Sequence, residues 1–196
     1  MKNKKTLLGL ALALFLMSQA ALEAADWPQW RGANRDGKAT GFQAPTEWPV
    51  ELKQQWSVVV GAGDASPVLA AGLLYVHARQ NDDEILICLD ANNGTEKWRS
   101  AHPAPEIKGP PSSHPGPRST PTVANGKVIT LGAGGILTCT DGASGKVIWR
   151  NEEFTNVPDF YTAMSPIVVD DLCIAHLGGK DDGVVIPFDL QTGAEK

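Results

Sequence analysis

Thr120 to Trp149 reads T-P-T-V-A-N-G-K-V-I-T-L-G-A-G-G-I-L-T-C-T-D-G-A-S-G-K-V-I-W. Four short apolar runs are separated here by turn residues. Pro121–Val123 is followed by Asn125-Gly126, Lys127–Leu131 by Gly134-Gly135, and Ile136–Thr140 by Asp141-Gly142-Ala143-Ser144-Gly145, which leads into Lys146–Trp149. Asn-Gly between apolar runs is a strong hairpin signal, because a type I′ turn needs positive φ at both central residues. The stretch therefore predicts four antiparallel strands in thirty residues. One such small sheet has two faces to bury and needs neighbours.

The same pattern lies on either side. Upstream, Ser66-Pro67-Val68-Leu69, Gly72–Val76, Ile85–Asp90 and Asn93-Gly94-Thr95-Glu96-Lys97-Trp98 follow in order; downstream come Ser165–Val168, Leu172–Ala175, Val184–Asp189 and Thr192–Lys196. Asp90, Asp141 and Asp189 recur after 51 and 48 residues, and Trp98 and Trp149 each fall eight residues after their aspartate. A period near fifty with four strands per unit points to a β-propeller or a related solenoid. The third unit reaches Lys196 one residue short of the place where its tryptophan belongs, so the expectation is a truncated chain.

That consensus resembles the pyrroloquinoline-quinone (PQQ) repeat, the unit of quinoprotein-dehydrogenase-like β-propellers and of BamB-like outer-membrane assembly factors. The stretch from Trp27-Pro28-Gln29-Trp30-Arg31-Gly32 to Asp36-Gly37, ending near Leu52–Trp56, is similar to the opening segment of that superfamily. The expected fold is all-β: a partial β-propeller of four-stranded antiparallel blades. The opening segment covers 26–60 and the repeats cover about 64–100, 118–151 and 163–196.

Residues 1–25 read as a signal peptide. Lys2, Lys4 and Lys5 precede an apolar run from Leu7 to Met17, and small residues follow at Ser18, Ala20, Ala21, Ala24 and Ala25. The run is shorter than the roughly 20 residues a membrane-spanning helix needs. No transmembrane segment is expected after cleavage, and localisation is expected to be periplasmic or extracellular. No cysteine near the cleavage region supports a lipid anchor. Cleavage after Ala25 removes three lysines and one glutamate, moving the formal charge from −5 to −7. A mildly acidic chain argues against nucleic acid as a partner.

Trp56, Trp98 and Trp149 each close a unit, and the resemblance implies that such tryptophans dock one blade onto the next. An indole buries 150–250 Å² and its N–H still requires an acceptor, so a ring between two sheets with its N–H on a neighbouring carbonyl meets both needs. Trp56 has no earlier strands of its own unit and is expected on an edge strand. Cys88 and Cys139 share a repeat position and Cys173 does not; all three are expected as buried free thiols, since no C-x-x-C or haem-attachment pattern is present.

Two insertions interrupt the units. Ala101–Arg118 holds six prolines with His102 and His114, excluding a helix or a central strand. Asn151–Met164 carries Phe154, Pro158, Phe160 and Tyr161. Loops on a rigid scaffold are where binding sits, so Arg118, Tyr161 and either loop histidine, His102 or His114 (with His114 the named candidate), are the candidate ligand-face residues, against the alternative of solvated linkers. His77 and His176 share a repeat position and are expected to be structural. Asp64, Asp82-Asp83-Glu84, Asp159 and Asp181-Asp182 read as acidic loop residues without calcium-loop spacing, and Asn34–Gly37 reads as a turn.

A PQQ dehydrogenase needs calcium and a carboxylate base, and the family's dehydrogenases add adjacent cysteines, which do not occur here. No nucleophile elbow, H-E-x-x-H or phosphate-cradling loop occurs either. No catalytic or metal-binding residue is named, and the sequence itself requires no cofactor; PQQ with calcium is implied only by the resemblance. The leading expectation is an exported, non-catalytic binding or scaffold module for a protein or surface polymer. The alternatives are part of a PQQ-dependent alcohol or sugar dehydrogenase, and a propeller joined to a further enzymatic or cytochrome domain.

Overall fold

The computed structural model describes residues 26–196. The expected signal peptide lies outside the described residues. Among the described residues, eleven strands form three antiparallel sheets. The first contains β1 (Val68–Ala70), β2 (Leu73–Gln80), β3 (Asp83–Asp90) and β4 (Glu96–Pro103). The second contains β5 (Thr122–Ala124), β6 (Lys127–Leu131), β7 (Leu137–Asp141) and β8 (Val147–Asn151). The third contains β9 (Ile167–Val169), β10 (Leu172–Leu177) and β11 (Val184–Asp189), with a single further bridge from Phe188 to Glu195. Within each sheet the strands lie in sequence order, so each is a meander. The first strands adjoin, β1 beside β5 and β5 beside β9, which makes them the inner strands of three neighbouring β-propeller blades.

Local chemistry sets the repeat. The turns between first and second strands place Ala71, Asn125 and Asp170 at φ near +50°, followed in two blades by Gly72 and Gly126. The turn after the third strand is capped by its aspartate: Asp141 Oδ1 accepts the Ser144 N–H at 2.8 Å, and Asp189 Oδ1 accepts the Thr192 N–H at 2.9 Å. Such Asx turns hold the chain while glycine supplies the positive φ. The register slips at the same place in both complete blades, between Cys88 and Leu89 and between Cys139 and Thr140.

Three apolar clusters result. One lies between the second and third blades around Leu131, Trp149 and Phe188, one between the first and second around Leu86, Cys88 and Val128. The third covers the outer face of the first blade, where Ile85, Ile87 and Leu89 meet Trp56 and Val60. All three cysteines are buried and unbonded. Burial pushes the Cys88 thiol up to about 11 and those of Cys139 and Cys173 up to about 12, so they are inert.

Three expectations need correction. The segment around Trp56 is no edge strand: residues 51–61 form no ladder, because the described chain offers no strand beside them, and they are held instead by the Trp56 indole, by Val60 against the first blade and by the Gln80 side-chain amide donating to the Val60 carbonyl at 3.2 Å. The proline-rich insertion does hold a turn of 3-10 helix, Pro110–Ser113, since Pro at the first helical position sacrifices no needed donor. Its first residues also continue β4 to Pro103, an outer strand where proline is tolerated. Glu84, finally, is not a loop residue. The turn occupies only Asn81-Asp82, and Glu84 lies inside β3 at 1% exposure.

Residues 27–35 cross the inner strands. Trp27 exchanges backbone hydrogen bonds with Leu69, the Pro28 carbonyl accepts the Val123 N–H at 2.7 Å, and Arg35 donates to the Val168 carbonyl. This strap touches all three blades at the end opposite the two insertions.

Candidate functional site in the insertion loops

The three repeat tryptophans make one and the same contact. Trp56 Nε1 donates to the Ala91 carbonyl at 3.1 Å, Trp98 Nε1 to Gly142 at 3.1 Å, and Trp149 Nε1 to Leu190 at 3.0 Å. Each acceptor is the residue after the repeat aspartate of the following blade. Each ring lies on the glycine of that same turn: a Cβ on Gly94, Gly145 or Gly193 would fall within 2.7 Å of the indole.

The insertions meet at the other end of the blades. Arg79 anchors the first: its Nη1 donates to the Pro105 carbonyl at 2.9 Å and its Nε to that of Asn81. The Pro117 carbonyl accepts the N–H groups of Asp64 and Ala65. Tyr161 clasps the second insertion to the first, accepting the Lys108 N–H at 2.8 Å and donating to the Glu106 carbonyl at 3.4 Å. It does so from φ +64°, a left-handed conformation that a bulky residue holds only when its surroundings enforce it.

Between the insertions lies a cavity of about 360 Å³ lined by Pro110, Pro111, His114, Arg118, Phe160, Tyr161 and Ala163. The structure thus brings His114, Arg118 and Tyr161 into one wall. Arg118 Nη2 donates to the His114 carbonyl at 2.9 Å, while its buried Nη1 has no partner. His114 Nδ1 lies 3.2 Å from Asp64 Oδ1. Phe160 stays two-thirds exposed at the rim. The cavity therefore offers a cation, an imidazole and aromatic faces, a set suited to holding an anionic group against apolar surface.

Behind Arg118 lies a polar cluster that sequence reasoning missed. Alternation along β2, β3 and β4 puts His77, Arg79, Glu84 and His102 on the face that meets the second blade. Glu84 Oε2 lies 3.6 Å from His77 Nε2 and 4.0 Å from His102 Nε2, and Oε1 accepts the Ala133 N–H from the next blade at 3.0 Å. A Cβ on Gly132 would collide with that carboxylate, so only glycine leaves it room. Burial drives His77 down to about 3 and His102 to about 4, so both rings are neutral near pH 7. Burial raises the Glu84 pKa, opposed by the Ala133 N–H and by the charges of Arg79 and Arg118. Strand alternation across the Asn81-Asp82 turn was the available signal; the run Asp82-Asp83-Glu84 hid it by looking like a charged loop. His176, at the repeat position of His77, is exposed.

Among the described residues, no group of three or more His, Cys, Asp or Glu is arranged to hold a metal ion. The cavity wall carries no carboxylate, so its donor set does not fit the calcium ion of a PQQ site, which takes six to eight oxygen ligands. Arg118 alone fits the carboxylates of the quinone.

With this geometry in place, the chain belongs to the family described as outer membrane protein assembly factor BamB, whose model matches residues 35–196. Among solved structures it is similar to quinohemoprotein alcohol dehydrogenase from Comamonas testosteroni, with 21% identity and a TM-score of 0.60 over 87% of this chain and 26% of that one. Quinohemoprotein alcohol dehydrogenase ADHIIG from Pseudomonas putida HK5 shares 22% identity at a TM-score of 0.51, over 70% of this chain and 20% of that one. BamB from Moraxella catarrhalis shares 18% identity at a TM-score of 0.43, over 69% of this chain and 34% of that one. The chain spans about a fifth to a quarter of the length of the dehydrogenases, and at these identities the likeness is one of fold. No curated protein matches the chain.

Proposed function

We propose that this chain is part of an exported, non-catalytic binding module of the BamB-like type, whose insertion loops hold a carboxylate-bearing segment of a protein or surface polymer. The observation that carries the reading is the cavity itself. Two insertions, clasped together through Tyr161, enclose a wall of prolines and aromatic rings around one guanidinium. Export rests on the basic and apolar pattern of residues 2–17; no helix among the described residues is long and apolar enough to cross a membrane. Trp56, Trp98 and Trp149 act in this reading as blade-docking residues that keep the loop face rigid.

Fluorescence anisotropy with a labelled acidic peptide containing one aromatic residue, and with a uronic-acid oligosaccharide, tests the proposal. Saturable binding of either is expected, with Arg118→Ala weakening it by about tenfold, the loss of a charge-assisted hydrogen bond. Failure of both probes to bind would sink the reading. The dehydrogenase alternative draws on Arg118 as a quinone-carboxylate partner. Saturable binding of PQQ with calcium, coupled to alcohol-dependent dye reduction, would replace the non-catalytic reading with that one.

A further inference from the structure

We infer that Glu84 is a positioning residue for the loop cavity, holding both of its walls from behind and coupling their geometry to the proton on its carboxyl group. The inference deepens the binding reading above but stands on contacts that exist without any ligand. One wall is reached through the backbone: Glu84 Oε1 accepts the Ala133 N–H, and the Ala133 carbonyl accepts the Thr162 N–H at 3.0 Å. Thr162 sits between Tyr161 and Ala163, both in the cavity wall. The other wall is reached through charge alone: no hydrogen bond joins Arg118 to Glu84, but the guanidinium charge weakly opposes the burial that raises the Glu84 pKa, and its buried Nη1 has no partner.

At one position of this cluster the repeat also takes an apolar residue. Counting from Gly72 and Gly126, the place of His77 is taken in the second blade by Leu131, which is fully buried. A buried ionisable group where the scaffold accepts leucine is a sign of function. Its polar atoms are also under-satisfied. Glu84 Oε2, His102 Nε2, Arg118 Nη1 and Ser119 Oγ are all buried without a partner. Native interiors rarely tolerate such a concentration, because each orphan forfeits its hydration.

The groups facing Glu84 are His77 and Arg79 from β2, His102 from β4 and Arg118 from the insertion; Asp83, Arg150 and Glu152 act on His102 from its surroundings. With both histidines neutral above about pH 4, Glu84 is the member of the cluster left to titrate at higher pH. An ionised Glu84 partly offsets the Arg118 charge. A protonated one frees that charge for an anion in the cavity. Acidic ligands therefore bind more tightly when Glu84 is protonated.

The test is NMR on the full chain without ligand, between pH 5 and 9. In the wild type, the amide signals of Ala133 and Thr162 and the Arg118 side-chain Nε–H signal are expected to shift with one shared midpoint, which disappears in Glu84→Gln. Separate midpoints, no shift, or shifts that persist in Glu84→Gln would overturn the inference. Should that variant not fold, Arg118→Gln is read through the Glu84 carboxyl carbon. Its midpoint is expected to rise once the cation is gone, and an unchanged midpoint overturns the link. The acidic peptide used above supplies a separate readout. Glu84→Gln is expected to bind it about fivefold more tightly at pH 8, a typical coupling between sites. Absence of peptide binding alongside an intact NMR linkage would reject the binding reading and leave the positioning role standing.

Discussion

Between the second and third blades, Ile129, Leu131, Leu137 and Cys139 meet Cys173, Ala175, Leu177 and Phe188, and Trp149 stacks on Phe188 at 6.2 Å. Between the first and second blades only the half near the tryptophan is apolar: Tyr75 and Trp98 pack at 5.8 Å beside Leu86, Cys88 and Val128. The other half holds His77, Glu84 and His102 against Thr130, Thr138 and the Ala133 N–H. One backbone repeat thus supports two kinds of boundary. The tryptophan end is shared by both and belongs to the fold, whereas the loop end differs and is free to carry function.

The tryptophan end carries the larger share of the energy that holds neighbouring blades together. Trp149→Ala is expected to lose on the order of 3–5 kcal/mol, as large aromatic truncations in cores do, with Trp98→Ala at the lower end because its ring is less buried. Urea denaturation of both variants checks this, and an unchanged midpoint would show that the ring does not hold two blades together.

Acidification should separate the two boundaries next. His77 and His102 bind protons more weakly when folded, at about 3 and 4, than their ordinary value of 6.5. The unfolded chain then holds more protons between roughly pH 6.5 and 4, so stability falls as pH drops through that window. Glu84, whose pKa is raised, contributes the opposite slope above its ordinary value, one group against two. His77→Leu, which installs the residue of the second blade, is expected to lose less stability between pH 7 and pH 4.5 than the wild type. Equal losses in paired urea titrations would assign the acid sensitivity elsewhere.

The smallest effect belongs to the repeat's surface ion pair, Lys97 with Asp90 at 3.0 Å, which recurs as Lys196 with Asp189 at 3.1 Å. Lys97→Ala is expected to leave the thermal unfolding midpoint almost unchanged, since solvent screens such pairs.

The blades were legible because Asn125-Gly126 and the Asp141 turn act within a few residues of themselves. The second blade's strands fall within a residue or two of the runs read from the sequence. Which carbonyl receives each indole N–H was not legible, since Ala91, Gly142 and Leu190 lie 35 to 44 residues from their tryptophans and only the packed blades bring them together. Trp56 misled for a related reason: its ring follows the repeat, but strand pairing needs a neighbour that no local pattern supplies. Glu84 was hidden by composition. A charged triplet reads as solvent-facing, and only the hairpin register turns one of its members inward.

The strap of residues 27–35 has a consequence for how the protein acquires its shape. Repeat arrays whose units touch only their neighbours can fold piecemeal, from any point outward. Here Arg35 reaches Val168, 133 residues away, after the same short segment has already bonded to the first and second blades. Those contacts can close only once all three blades stand side by side. Long-range closures of this kind slow folding and make it cooperative, so the strap ties otherwise separable repeats into a single event.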